Sequence, residues 1–434
     1  MGLLSVQQVI GVLLLARLIS YEYPRQPLPS SLDVLDTKKA REQSSWNAMW
    51  HASRPVTDVL FDKQIVVDFV NYTKGGKAFL DSSSGLSRVF EGVQGPESVH
   101  VLENGTMVAL DKFGRVYVNN GEEGYSLFAY VGPGRPLGVH SMFSEMDGED
   151  VLVICNSLTG VLSLGLVTKR VKVLTSYYDD DGDVVPIMYA NDVDIDIERR
   201  VVYFTDSTVI PPALNRALFY DTMMSYLLSA ASGTATGKLL SYDMSSGRTS
   251  VLVDGIFFAN GVAVDRKGEY VLVVETSSLR ILKYHVSNGT TEVLVDGLPG
   301  FPDGISRCHG VSSSSSRDID NNAVEVEDFF WVAVIIPCDI GRNGGCMGLQ
   351  MMRAPKMVRW VLSYVFRYIG SPPVGKIGLV LKVSGVTGDI VQVLVDRRGD
   401  YVAGVSGVYQ HGATLFMGHL SYDYITAFDL SSIH

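Results

Sequence analysis

The feature that most constrains this chain is a repeated pair of short apolar runs joined by a turn. Leu239-Leu240-Ser241-Tyr242-Asp243, then Gly247, then Val251-Leu252-Val253-Asp254 returns as Ile281-Leu282-Lys283-Tyr284-His285, Gly289 and Val293-Leu294-Val295-Asp296. It returns again as Val380-Leu381-Lys382-Val383, Gly388 and Val393-Leu394-Val395-Asp396. Short runs rich in β-branched residues and punctuated by glycine read as strand hairpins. From Val251 to Val293 is 42 positions, which is the period of a propeller blade. Such a unit cannot bury its apolar faces alone, so the repeat demands neighbours stacked around an axis.

From Val293 to Val393 is 100 positions, one blade plus inserted residues. Part of the insertion is the serine run Ser312 to Ser316 and the acidic, Asn-rich stretch that follows to Asp328. That composition cannot bury apolar surface, and 311–328 reads as a disordered surface loop. The rest is Met351 to Ile369, which mixes large apolar residues with Arg353, Lys356, Arg359 and Arg367 and holds no acid. It reads as an amphipathic helix that packs on the propeller rim, or else lids a pocket or touches an anionic membrane. Counting strand-and-turn units from about Phe90 to Leu430 gives an all-β, six-bladed β-propeller within 61–434, behind a linker at 21–60.

Charge removes one class of partner. Asp and Glu number 47 against 36 Lys and Arg, a formal charge of −11, and a chain of that sign repels phosphate backbones, so nucleic acid is set aside. The run Val9 to Ala16, broken by Arg17, is too short to span a membrane and reads as the core of a signal peptide or a weak signal anchor over residues 1–20. The sequons Asn71-Tyr72-Thr73, Asn104-Gly105-Thr106 and Asn288-Gly289-Thr290 agree with entry to the secretory pathway. Cys155, Cys308, Cys338 and Cys346 lack zinc-site spacing. Cys338 and Cys346 close a short disulfide loop if the compartment is oxidising, and otherwise stand as buried thiols.

The inner strands of a propeller begin at one mouth of its central channel, so ligands there come from distant turns. Four turns present an oxygen ligand: Gly95-Pro96-Glu97-Ser98, Ala190-Asn191-Asp192-Val193, Ala259-Asn260-Gly261-Val262 and Pro302-Asp303-Gly304-Ile305. Glu97, Asn191, Asn260 and Asp303 follow at intervals of 94, 69 and 43, multiples of a blade once insertions are allowed. Each turn alone is ordinary turn chemistry. Together, two carboxylates and two amide oxygens suit one hard divalent cation, Ca2+.

At these residues the chain resembles the strictosidine synthase-like proteins, including those of the adipocyte plasma-membrane-associated type, and more distantly the paraoxonases and gluconolactonases. The likeness runs from about Gln94 to Leu430 through Gly134-Arg135-Pro136-Leu137-Gly138, Val202-Tyr203-Phe204-Thr205-Asp206-Ser207 and Phe258-Ala259-Asn260-Gly261-Val262-Ala263. The resemblance implies that the four oxygen residues are the calcium ligands, position by position. It also places the glutamate on which true strictosidine synthases depend at Ser406, so alkaloid condensation is not expected. Two positions depart from the calcium-binding pattern: Ser98 stands where a second acid often follows the first ligand, and Gly304 where a further amide follows the last.

The activity this implies is calcium-assisted hydrolysis of a small hydrophobic ester or lactone. The alternative is a non-catalytic, membrane-associated propeller whose cation is structural. No Gly-x-Ser-x-Gly elbow argues for a serine hydrolase. His140 is a candidate base or a packed histidine; Asp206 and Glu275 are candidate supporting acids or strand-end turn residues. Pro211 to Ser232, with Phe219, Tyr220, Met223, Met224 and Tyr226, is the expected apolar pocket loop.

Overall fold

The computed structural model describes residues 78–79 and 85–432, apart from 120–123, 181, 309–326, 339–347, 349–350, 353 and 371–375. The expected N-terminal segment, the linker, the sequon at Asn71 and nearly all of the serine-rich insertion lie outside the described residues.

Six sheets of four antiparallel strands carry the fold, one of them joined in parallel by Ala78–Phe79, and each contributes one innermost strand to the ring about the axis. In chain order these inner strands are β1 (Val99–Val101), β2 (Pro136–Ser144), β3 (Ala190–Asp196), β4 (Ala259–Val264), β5 (Gly300–Arg307) and β6 (Val405–His411). Each touches the next, and β6 returns to β1. The repeat found in the sequence is the outer hairpin of blades 3, 4 and 5: Gly237–Asp243 with Arg248–Ile256, Arg280–His285 with Thr291–Val295, and Gly378–Ser384 with Ile390–Asp396. Val293 and Val393 therefore stand in adjacent blades. The ring is closed by Leu86–Val89, which pairs antiparallel with Ile425–Phe428 as the outer strand of the last blade.

Apolar side chains of neighbouring blades interleave. Val151, Val153 and Val161 of blade 2 share a cluster with Val193, Val202 and Phe204 of blade 3. The strand Tyr270–Glu275 is buried along its whole length, as expected for a sheet packed on both faces. Near the axis the strands meet so closely that side chains do not fit. A Cβ at Gly261 would lie 2.6 Å from the Asp303 carbonyl oxygen, and one at Gly407 only 2.2 Å from that of Glu97.

Two helices cover one mouth. α1 (Thr222–Ser232) begins at Asp221, whose carboxylate accepts the Met224 N–H at 2.9 Å, and stops at Gly233 in the left-handed region, φ 69°. α2 (Lys356–Ile369) falls within the segment expected to be helical. Its Arg359 is buried and donates to the Ala231 carbonyl at 3.2 Å, so α2 is fastened across the last turn of α1. Met351, Met352 and Phe366 join the same core cluster as Tyr226 and Phe301. The inserted helix thus packs over the mouth.

Candidate metal centre

Glu97, Asn191, Asn260 and Asp303 all line one cavity of ≈ 30 Å³ at the covered mouth. All four side chains belong to buried residues. The order of their approach follows from the fold: Glu97 lies two residues before β1, Asn191 and Asn260 are second in β3 and β4, and Asp303 is fourth in β5. The remaining walls include Tyr189, Thr222, Met223, Tyr226, Phe258 and Thr276. Phe258 is met edge-on by Tyr226 at 4.9 Å and by Tyr189 at 5.7 Å, giving an aromatic wall. Of the expected pocket loop, Met223 and Tyr226 reach this cavity, while Phe219 packs edge-on against Phe113.

The two asparagines are oriented by hydroxyls. Asn191 Nδ2 donates to Ser207 Oγ at 2.9 Å, and Asn260 Nδ2 to Thr276 Oγ1 at 3.2 Å. Ser207 Oγ in turn donates to the Ala259 carbonyl at 2.6 Å, stitching blade 3 to blade 4. With each amide nitrogen engaged, each amide oxygen is the group left to act as a ligand.

Burial raises the Glu97 carboxyl above the usual range, with Arg135 opposing, and burial together with Glu97 raises Asp303 well above it. Two carboxyls crowded in a buried cavity are the condition that a divalent cation relieves. The donor set therefore fits a hard cation: two carboxylates and two carboxamides, with no sulfur or imidazole among them. Among the described residues there is no cluster of three His, Cys, Asp or Glu side chains; two of the four donors here are amides.

Gly304 is explained by packing. A Cβ there would stand 2.6 Å from the Ser406 carbonyl oxygen, so no amide side chain fits after Asp303.

Below the site the channel continues as a second cavity, of ≈ 70 Å³, that shares Glu97, Asn191 and Asn260 with the first. Ser406 lines it, buried, at the position where the resemblance implies a glutamate. His140 lines it too, though it is not among the residues around the mouth cavity. Its Nδ1 donates to the Ser141 carbonyl at 2.9 Å, its Nε2 lies 3.4 Å from Asp194 Oδ1, and its ring is 5.0 Å from that of His100.

Asp206 and Glu275 line neither cavity. Asp206 accepts the backbone N–H of Tyr189 at 2.7 Å and of Met188 at 3.2 Å. Glu275 accepts that of Phe257 at 2.9 Å and pairs with Arg280. Each carboxylate sits opposite the residue just before Asn191 or Asn260, Asp206 opposite Ala190 and Glu275 opposite Ala259. Their place in the fold is to hold the loops that deliver Asn191 and Asn260.

Three further residues matter that carried no role in the sequence. Asp192 and Asp194 reach from β3 to accept the N–H groups of Val262 and Val264 on β4, at 3.0 and 2.8 Å. An inner strand has a free edge, and these carboxylates satisfy it. Burial pushes Asp192 up to about 7, against the two N–H groups it accepts. The third is Arg135, whose guanidinium is buried with Nη2 3.2 Å from Glu97 Oε2.

Cys338 is disulfide-bonded and Cys155 and Cys308 are free, which leaves Cys346, outside the described residues, as the fourth cysteine. Asn104 and Asn288 stand on exposed turns, each accepting the backbone N–H two residues on at 3.0 Å. No helix among the described residues is long and apolar enough to cross a membrane.

The family model described as Strictosidine synthase matches residues 191–289, the stretch that holds Asn191 and Asn260. The chain is 29% identical over 359 residues to the strictosidine synthase-like 8 protein of Arabidopsis thaliana, covering 78% of this chain and 85% of that one. It is 28% identical over 336 residues to the adipocyte plasma membrane-associated protein of Rattus norvegicus, covering 76% and 78%. Among solved structures, a gluconolactonase of Xanthomonas campestris aligns with TM-score 0.49 at 13% identity, covering 79% of this chain and 89% of that one. A calcium-binding regucalcin of Agrobacterium tumefaciens aligns with TM-score 0.47 at 13% identity, covering 79% and 92%. Both structural likenesses are too distant to bear on function.

Proposed function

We propose that this chain, which resembles strictosidine synthase-like proteins along 78% of its length, is a calcium-dependent hydrolase of small hydrophobic esters or lactones. The observation that carries the reading is the convergence of Glu97, Asn191, Asn260 and Asp303 on one buried cavity with an aromatic wall. These four residues would hold the ion. The chemistry such an ion supplies is polarisation of the substrate carbonyl toward attack by water. Met223, Tyr226 and Phe258 give an acyl or aryl group its apolar contact. Ser207 and Thr276 keep the amide oxygens turned inward, and Asp206 and Glu275 hold the loops on which they ride. His140 is the base of this reading, reached through the channel cavity that shares three of the four ligands. With Ser406 in place of a carboxylate, alkaloid condensation is no part of it.

The disulfide at Cys338 and the exposed sequons support a secretory-pathway location. The exposed first turn of α2, with Lys356 and with Met357 at 68% exposure, is where the molecule would meet an anionic membrane surface.

A second reading has an observation of its own. A cavity of ≈ 30 Å³ has room for only a water or two, which suits a structural ion in a non-catalytic propeller unless α1 and α2 lift. The experiment is hydrolysis of phenyl acetate and a lactone panel by the purified chain, with calcium and with chelator, beside Asn260→Ala. The hydrolase reading expects turnover that chelator abolishes and that the variant loses at least about tenfold. No turnover from folded, calcium-loaded protein moves the conclusion to the structural ion.

A further inference from the structure

Arg135 is one of the least exposed charged residues in the molecule, at 2%, and its contacts converge on the site from three directions. Its Nη2 lies 3.2 Å from Glu97 Oε2 and donates to the Gly95 carbonyl at 3.1 Å, in the turn that carries Glu97. The same nitrogen reaches the Leu420 carbonyl at 3.4 Å, just past the last blade's second strand. Its Nη1 donates to Thr222 Oγ1 at 3.3 Å, at the first residue of the roofing helix α1. Its backbone N–H is fixed in turn by Ser157 Oγ at 2.9 Å.

A fixed, buried positive charge beside one ligand does two opposed things. It stabilises the cation-free site by neutralising one of two crowded carboxylates. It also weakens any metal cation drawn to that carboxylate, because like charges in a poorly screened interior repel.

We propose that Arg135 is the built-in counter-charge of the central site: it pairs with Glu97 when no ion is present and thereby sets how weakly a divalent cation binds. This rests on the cation reading of the four ligands but not on hydrolysis. Arg135 is a positioning residue in this account, and its effect reaches the roof as well, since the guanidinium that faces Glu97 also holds Thr222.

The test is calorimetric titration of the full chain with calcium chloride, beside thermal melts in chelator and in calcium, for the native chain, Arg135→Gln and Arg135→Lys. Arg135→Gln is expected to melt lower than the native chain in chelator, yet to bind calcium at least about tenfold more tightly. Its melting temperature then rises more on adding calcium than the native chain's does. Arg135→Lys keeps the charge and is expected to stay within a few-fold of native affinity. If Arg135→Gln does not fold in chelator, the proposal expects calcium to restore folding, because the ion replaces the missing charge.

Equal or weaker calcium affinity in Arg135→Gln overturns the proposal, and so does a variant that stays unfolded with calcium present. Binding by Arg135→Gln where the native chain binds nothing upholds it and removes the calcium hydrolase reading. Binding by neither removes both. Absence of turnover in the native chain, with affinities as expected, overturns only the hydrolase.

Discussion

His419 closes the second strand of the last blade, at the position that Asp206 and Glu275 occupy in blades 3 and 4. It is fully buried, with Nδ1 donating to the Ala403 carbonyl at 3.1 Å and Nε2 2.9 Å from Thr426 Oγ1. Burial lowers its pKa from 6.5 to about 4. The unfolded chain therefore takes up a proton there before the folded one does. The contribution to stability is whole above about pH 6.5 and is lost as pH falls toward 4, by about 3 kcal/mol in all. Chemical denaturation of the native chain and of His419→Asn between pH 4 and 7 checks this: the difference in slope should be close to one proton, and parallel curves would refute it. The four residues that line the mouth cavity were legible in the sequence because four turns shared a blade-like spacing. Their supports were less so. Ser207 and Thr276 stand 69 positions apart, as Asn191 and Asn260 do, but serine and threonine are too common for that offset to stand out unaided. Arg135 has partners at Glu97, Thr222 and Leu420, and no spacing rule joins those positions.

Helix α1 has no basic residue in its own last turn, so the carbonyl end that a cation would cap is served from elsewhere. Arg359 of α2 does this, donating Nη1 to Ala231 and Nε to the Ala354 carbonyl at 3.0 Å. Burial lowers the Arg359 pKa. Arg359→Ala should free both carbonyls and loosen α2 from α1 at a cost of about 1–3 kcal/mol. Hydrogen exchange across 222–232 should quicken while exchange in β3 and β4 holds; equal change in both would deny that the roof moves as a unit. Composition disclosed the helix within 351–369 but not which of its basic residues would be buried. Lys356 and Arg359 look alike in the sequence, and only the position of the Ala231 carbonyl separates them.

Ring closure depends on four residues far from the rest of their blade in sequence. Leu86–Val89 supplies the outer strand to a sheet whose other three strands lie between Val405 and Asp429. The repeat made a ring legible, because a blade's faces are covered only by other blades. It did not disclose the seam: Leu86-Ser87-Arg88-Val89 is a short, half-polar run of the kind many loops contain. Its consequence is mechanical. Glu97 comes from the first blade and Asp303 from the fifth, and the Glu97 backbone is packed against Gly407 and Gly418 of the sixth. A ring that opens at the seam therefore draws Glu97 away from Asn191, Asn260 and Asp303 on blades 3 to 5. Replacing Leu86–Val89 by four glycines should cost about 2–4 kcal/mol from lost pairing and burial. If calcium bridges the blades, it should restore more melting temperature to this variant than it adds to the native chain, since the ion binds only the closed ring. Equal calcium shifts in the two proteins would mean that the four ligands stay together when the seam opens, and that the rigidity of the site comes from the inner strands alone.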